Sequence, residues 1–362
     1  MKQQELKNII AAVTKRMFNL QPEGFVENCP ISNIDINKWE WPQGVGLYGL
    51  LRYYQYTKDK ETFDFIVNWF EERIKEGIPL PNVNTTAPLL TLAFLYEMTG
   101  KKQYLDICTE RAQWLLDNLP RTEENGFLHI GTFHEPMEIA KEWVKGQLWD
   151  DTIFMAVLFL GKIGTITGNK AFIDESLRQM LLHIKYLTDK KTGLWYHGWS
   201  FVENSNLSGA LWARGNCWIT AGFPDYFEIT GINDGAKLFM QDTLERQISA
   251  LSEYQHDDGM WSTLINEQNT YKESSATAGF VYGILKAVRM GIIDKKYKNI
   301  ALKGLRALLT QISDDGTVLN VSYGTGIRDL EVYRTIPIHP MAYGQALTLL
   351  ALSEGLYIHE EI

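Results

Sequence analysis

Twelve stretches of this 362-residue chain carry helical periodicity, and they alternate between two kinds of surface. The segments are 4–19, 43–58, 60–76, 86–99, 102–119 and 147–167, then 170–188, 211–230, 234–255, 275–291, 294–312 and 341–357. Those beginning near Gly44, Thr86, Gln147, Leu211, Ser275 and Met341 are apolar around most of their circumference and rich in Gly, Ala, Ser and Thr. Their neighbours, such as 102–119 and 294–312, carry Lys, Glu and Asp on one face. A helix apolar all round is buried, and an amphipathic one covers it. Six inner and six outer helices predict an all-α fold, a closed α/α toroid. An open solenoid is the alternative, but six repeats in a chain of this length fit closure better.

Two sets of turns keep the same beat. Asn125-Gly126-Phe127, Thr192-Gly193-Leu194, Asp258-Gly259-Met260 and Asp315-Gly316-Thr317 follow alternate helices at spacings of 67, 66 and 57 residues. Thr99-Gly100, Thr167-Gly168 and Thr230-Gly231 close the other end, where glycine suits the left-handed position past a helix terminus. No linker or low-complexity segment interrupts the pattern. Residues 1–362 are expected to form a single catalytic domain, with 1–38 as an N-terminal helix and loop.

In such a toroid the inner helices all begin at one rim. The preceding loops, 39–43, 82–88, 129–151, 197–218, 261–277 and 322–340, therefore converge there as a pocket mouth, and they hold many of the aromatics. Eleven Trp and seventeen Tyr exceed what packing alone usually requires, and aromatic platforms are common in carbohydrate sites. A formal charge of −9 with no long basic run argues against nucleic acid. An acidic ligand must then be small and met by a local cation. Cys29, Cys108 and Cys217 form no CxxC or Cys/His cluster, so free thiols in a reducing compartment are expected. The N-terminal stretch lacks the apolar core of a signal peptide, and no window is long enough to span a membrane. A cytoplasmic location is expected.

The chemistry concentrates in Trp149-Asp150-Asp151-Thr152, which opens the helix 147–167. Acids are favoured at a helix start, but a cap needs only one. The second, followed by Ile153, Met155, Ala156, Leu158 and Phe159, is expected to enter an apolar site that raises its pKa, as a general acid requires. One cap and one solvated acid is the bland reading. Trp212-Ala213-Arg214-Gly215-Asn216-Cys217-Trp218 opens another inner helix, placing Arg214 between two indoles. That arrangement suits a sugar carboxylate, although a buried structural arginine paired with an aspartate is the alternative. His129 and His197 occupy equivalent loops one repeat apart, each also readable as an ordinary hydrogen-bonded loop histidine. The other histidines, including His134 and His183, are scattered without HxH or HExxH, so no metal site is expected. There is no P-loop, GxSxG or dinucleotide fingerprint, and no cofactor is expected.

The phrases NVNTTAPLLTLAFLYEMTG, GQLWDDTIFM, HIKYLTDKKTGLWYHGW, GALWARGNCW, SSATAGFVYGILKAVR and PIHPMAYGQALTLLALSE resemble glycoside hydrolase family 105, the unsaturated rhamnogalacturonyl hydrolases, from about Trp39 to Leu356. The resemblance implies an (α/α)6 barrel, in agreement with the helix count. It implies hydration of a 4,5-unsaturated galacturonyl residue: an Asp protonates C4, water attacks C5, and the resulting hemiketal opens to release the rhamnose-ended fragment. By motif, Asp151 matches the catalytic acid/base. His197, Trp212, Arg214 and Trp218 match pocket positions, with Arg214 on the uronate carboxylate. His129 matches a pocket histidine often followed by Lys, where this chain has Ile130. Before Pro88, where many members carry an assisting Asp, this chain has Asn82, Asn84 and Thr86. Trp41, Asn84, Gln147, Trp149, Thr152 and Met155 are expected to line the wall. The partner is a small unsaturated uronate oligosaccharide, acted on by a monomer or small homo-oligomer, with no membrane involved. An unsaturated glucuronyl hydrolase, a sugar epimerase on the same toroid and a non-catalytic oligosaccharide-binding protein are the competing readings.

Overall fold

The computed structural model describes residues 1–20, 35–131 and 137–362; Cys29, His134 and most of the loop expected within 1–38 lie outside them. The helices are α1 (Gln3–Asn19), α2 (Trp41–Thr57), α3 (Lys60–Glu76), α4 (Val83–Thr99), α5 (Lys102–Asp117) and a short α6 (Met137–Trp143). A strand β1 (Gln147–Trp149) leads into a π-helical turn (Ile153–Val157) and α7 (Leu158–Thr167). Then follow α8 (Lys170–Leu187), β2 (Gly198–Ser200), α9 (Ala213–Thr230), α10 (Gly235–Tyr254) and α11 (Ser274–Arg289). The last α-helices are α12 (Lys298–Leu309), the short α13 (Leu330–Arg334) and α14 (Ala342–Gly355), which runs into a 3-10 turn (Leu356–Glu361).

Helices α2, α4, α7, α9, α11 and α14 each pack on the next, and α14 packs on α2, so the ring closes. Their side chains are buried over most of their lengths because protein surrounds them: the ring neighbours, an outer helix and the barrel interior. Helices α3, α5, α8, α10 and α12 cover the inner helix that precedes or follows each of them. The sixth outer position falls to α1, which packs against α14. Its buried stripe of Leu6, Ile10, Val13 and Met17 supplies the missing cover. The closed twelve-helix toroid is therefore present, with the first and last helices forming one hairpin.

Both sets of repeated turns are left-handed, as expected of the second set, and the first set carries one substitution. Gly193, Gly259 and Gly316 have φ of 85°, 96° and 85°, whereas in the first repeat Asn125 takes that role at 65°. Asparagine tolerates the left-handed region better than most side chains. Gly100, Gly168 and Gly231 cap α4, α7 and α9 at φ of 68°, 65° and 62°.

The expected helix from 147 is corrected at its start. Gln147–Trp149 is a strand paired antiparallel with Gly198–Ser200. A three-residue strand lies below any periodic signal, and its partner is a whole repeat away. The helix then enters through a π turn closed by the Leu158 N–H on the Ile153 carbonyl. Such insertions are frequent at functional sites because they re-aim the residues before them.

Candidate active site

The loops at the helix N-termini are laced together by backbone hydrogen bonds. Val83 N–H donates to the Ile130 carbonyl, Asp150 to His197, Ala213 to Thr263 and Ser274 to Asn320, at 2.8–3.0 Å. This ladder fixes the rim from which the site side chains hang.

Asp151 lies at its centre. Its Oδ2 meets His197 Nε2 at 3.0 Å, and its side chain keeps 18% exposure while His197 is fully buried. On its far side, His197 Nδ1 meets the Tyr333 hydroxyl at 2.6 Å. The result is a chain of Tyr333, His197 and Asp151 drawn from three separate loops. Burial pushes the Asp151 carboxyl up, but the His197 hydrogen bond, with the neighbouring His197 and His129 rings, outweighs it and holds the carboxyl below the usual carboxylate range. The expectation of a raised pKa at Asp151 is therefore corrected. The acid that burial raises is Asp150, whose side chain is completely enclosed.

His129 and His197 flank one indole. His129 stacks on Trp149 at 4.7 Å with ring planes 4° apart, and Trp149 meets His197 edge-on at 5.4 Å. His129 Nδ1 is 2.9 Å from Thr152 Oγ1. Burial lowers its pKa to about 4, so it is neutral at neutral pH. Gln147 accepts from Trp149 Nε1 at 2.9 Å and steadies that ring. His183, which sequence reasoning left among the scattered histidines, supports the same residue through Nε2 and the Trp149 carbonyl, 3.1 Å apart.

The indole wall continues around the barrel. Trp212 packs on His197 at 4.4 Å and on Tyr333 at 5.7 Å. Trp41 stacks on Tyr343 at 4.9 Å and meets Trp218 edge-on at 5.9 Å, while Phe154 joins Trp218 at 5.2 Å. Met155 is buried on the π turn, and Asn84 lies in the first turn of α4, closely faced by Gly131.

Arg214 is placed differently from a freely presented cation. Its guanidinium lies over Trp212 and Tyr343 at 4.5 and 4.7 Å. Nη1 donates to the Ser322 carbonyl and hydroxyl, and Nη2 donates to the Tyr323 carbonyl, at 2.6–3.0 Å. Glu273 is 3.9 Å away. Arg214 thus ties α9 to the loop before α14, using three of the five guanidinium donors. Tyr333 and Glu273 are the site residues that sequence reasoning missed. Tyr333 sits on a five-residue helix inside a long loop, and Glu273, the N-cap of α11, has no flanking motif to distinguish it.

A closed barrel of paired helices with an acid, two histidines and four indoles at one rim is the (α/α)6 architecture with a wall suited to sugar rings. The chain matches the model of Glycosyl Hydrolase Family 88 over residues 9–358. It is 31% identical to the unsaturated rhamnogalacturonyl hydrolase YesR of Bacillus subtilis over 320 residues, 88% of this chain and 90% of that protein. Among solved structures, a possible family-105 glycoside hydrolase of Klebsiella pneumoniae superposes with a TM-score of 0.92 at 40% identity, covering 99% of this chain and 94% of the other. A second, from Salmonella enterica, gives 0.93 at 40% identity over 99% and 95%. The chain belongs to the family described by the Glycosyl Hydrolase Family 88 model, and these relatives bear out the expected likeness to glycoside hydrolase family 105.

Proposed function

We propose that this protein removes a 4,5-unsaturated galacturonyl residue from rhamnose-containing fragments of pectin by hydrating the vinyl ether. The observation that carries the reading is Asp151 itself, a partly exposed carboxyl hydrogen-bonded to His197 beside an indole wall. The similarity to a relative named as an unsaturated rhamnogalacturonyl hydrolase gives the sugar class.

In this scheme Asp151 donates a proton to C4, and positive charge develops at C5 and the ring oxygen. Asp151 then takes a proton from the water that attacks C5. The resulting hemiketal opens and frees the neighbouring sugar. In the free protein Asp151 is ionised beside His197, so it must be protonated as substrate binds, and the water's proton restores the acid at the end of the reaction. A bound uronate brings a second negative charge and excludes water, and both favour the protonated acid. The His197–Asp151 hydrogen bond is the path for a one-proton shift to the carboxyl. The Tyr333 hydroxyl, bonded to the far nitrogen, holds the ring in place for that shift.

Trp41, Trp149, Trp212 and Trp218 supply flat walls for sugar rings, and the remaining donors of Arg214 are assigned to the uronate carboxylate. His129, Asn84, Gln147, Thr152 and Met155 complete the wall, and the site works within one domain. Asp150, Asp151 and His197 place ligand atoms within 4.8 Å of one another, which invites a metal reading. We read them as proton-handling groups, because Asp150 would have to ionise in a closed interior where no well-formed hydrogen bond reaches either oxygen among the described residues. A chelator is accordingly expected to leave turnover unchanged.

The deciding experiment follows the ultraviolet absorbance of the conjugated uronate after mixing with unsaturated rhamnogalacturonan disaccharide. Loss of signal with the native protein and none with Asp151→Asn supports the assignment. Loss only with unsaturated glucuronyl disaccharides moves the substrate class and keeps the chemistry. No loss on any unsaturated uronate overturns the reading.

A further inference from the structure

Asp150 has no duty in that scheme, yet its surroundings are specific. It is fully buried, and among the described residues neither carboxyl oxygen has a well-formed hydrogen bond, only the looser approach of the Asp151 carboxyl and main-chain N–H. It presses against Gly215 of α9, where a Cβ would overlap Oδ2 and stand 3.0 Å from Cγ. The titratable groups around it are Asp151 on its own segment, His197 from the loop before β2, Cys217 from α9 and Tyr333 from α13. Burial, reinforced by the Asp151 charge, holds the Asp150 carboxyl well above the ordinary range. An ionised carboxylate here would be desolvated, at best loosely donated to by the Asp151 N–H, and beside a like charge. A neutral acid has one O–H to give, and the Asp151 carboxylate is the acceptor within reach.

We propose that Asp150 remains a neutral carboxylic acid throughout turnover and donates its O–H to the Asp151 carboxylate, so that of the two adjacent acids only Asp151 exchanges protons with substrate. Asp150 is thus a positioning residue. Its hydrogen bond favours the anion that Asp151 becomes after protonating C4, and it anchors that carboxylate from the interior while His197 anchors it from the rim. Gly215 is the residue that gives the acid its space. The inference rests on the role assigned to Asp151, so one arm of its test is independent of activity.

That arm is infrared spectroscopy near neutral pH. A carboxylic-acid C=O stretch is expected in the native protein and in Asp151→Asn, and it should vanish in Asp150→Asn. Its absence from the native protein overturns the proposal whatever the substrate. The second arm compares two replacements of similar size. Asn keeps an N–H donor, so Asp150→Asn is expected to retain kcat within about tenfold of native with an unmoved alkaline limb. Leu keeps the volume and loses the donor, so kcat should fall about ten- to a hundredfold. With the donor gone, the anionic form of Asp151 is less favoured and the alkaline limb moves upward by about one to two pH units. KM stays near native in both, and circular dichroism checks that each folds. A native-like kcat and pH profile in Asp150→Leu would show a space-filling role and sink the idea. Complete loss of turnover in Asp150→Asn with loss of the alkaline limb would mean that Asp150 itself is the titrating acid, which also overturns it.

Discussion

Asp150 and Asp151 are neighbours of one residue type, but one is enclosed against Gly215 and the other keeps 18% of its side chain exposed beside His197. Their opposite pKa directions have a consequence for stability. The Asp150 pKa is raised on folding, so its contribution is fully present below the unfolded value near 3.9 and is lost as pH rises toward the folded value. Asparagine cannot ionise in either state. Asp150→Asn is therefore expected to gain at least about 1 kcal/mol over native at pH 7, with the gain vanishing near pH 4, as measured by urea unfolding at both pH values. Gly215→Ala should cost about 1–3 kcal/mol through overpacking against Asp150, and it should lower kcat as the dyad shifts. Tyr333→Phe leaves His197 Nδ1 without its hydroxyl partner, and kcat is expected to fall about tenfold in steady-state assays with KM little changed. The turn holding both acids was legible as chemistry from its residues alone. Which acid faces the pocket was not, because β1 and the π turn set their aim through partners on other repeats.

At the scale of elements, four of the outer-to-inner connections among the described residues share a turn with a left-handed residue, at Asn125, Gly193, Gly259 and Gly316. Gly259 has φ of 96°, and a Cβ there would stand 2.5 Å from the Lys303 carbonyl oxygen on α12. Gly259→Ala is expected to destabilise by about 1–3 kcal/mol in chemical denaturation, because both the backbone and the neighbouring helix must shift. Gly316 makes the same turn against the Ala12 carbonyl of α1, so the last repeat is finished by the first helix. These turns were visible in the sequence because glycine at a fixed spacing is a local signal. The two-stranded sheet and α13 were not, since three and five residues carry no period.

Across the whole molecule, the end of the barrel opposite the site is filled with charge. Asp225 of α9 accepts from Arg52 of α2 at 2.9 Å, from Tyr282 of α11 at 2.8 Å and from Lys286 of α11. Glu228 joins Arg52 and Lys286 at 2.6 and 2.7 Å, with Lys162–Glu97 and Arg289–Glu354 pairs further around the ring. Removing Asp225 leaves two buried cations to share the partly exposed Glu228, so Asp225→Ala is expected to cost about 3 kcal/mol by urea unfolding. Its effect on KM should be small, because the ring lies at the far ends of the inner helices. The alternation of apolar and amphipathic helices, the beat of the glycine turns and the aromatic, acidic rim loops were determined by sequence alone, since each depends on neighbours within one or two turns of chain. Only the tertiary structure decided that α1 closes on α14, that Tyr333 reaches His197, and that Arg214 binds Ser322 and Tyr323. It also decided that Asp150 rather than Asp151 is the buried acid. Those outcomes join residues more than a hundred positions apart or turn on how completely a side chain is removed from water, and neither is written in local pattern.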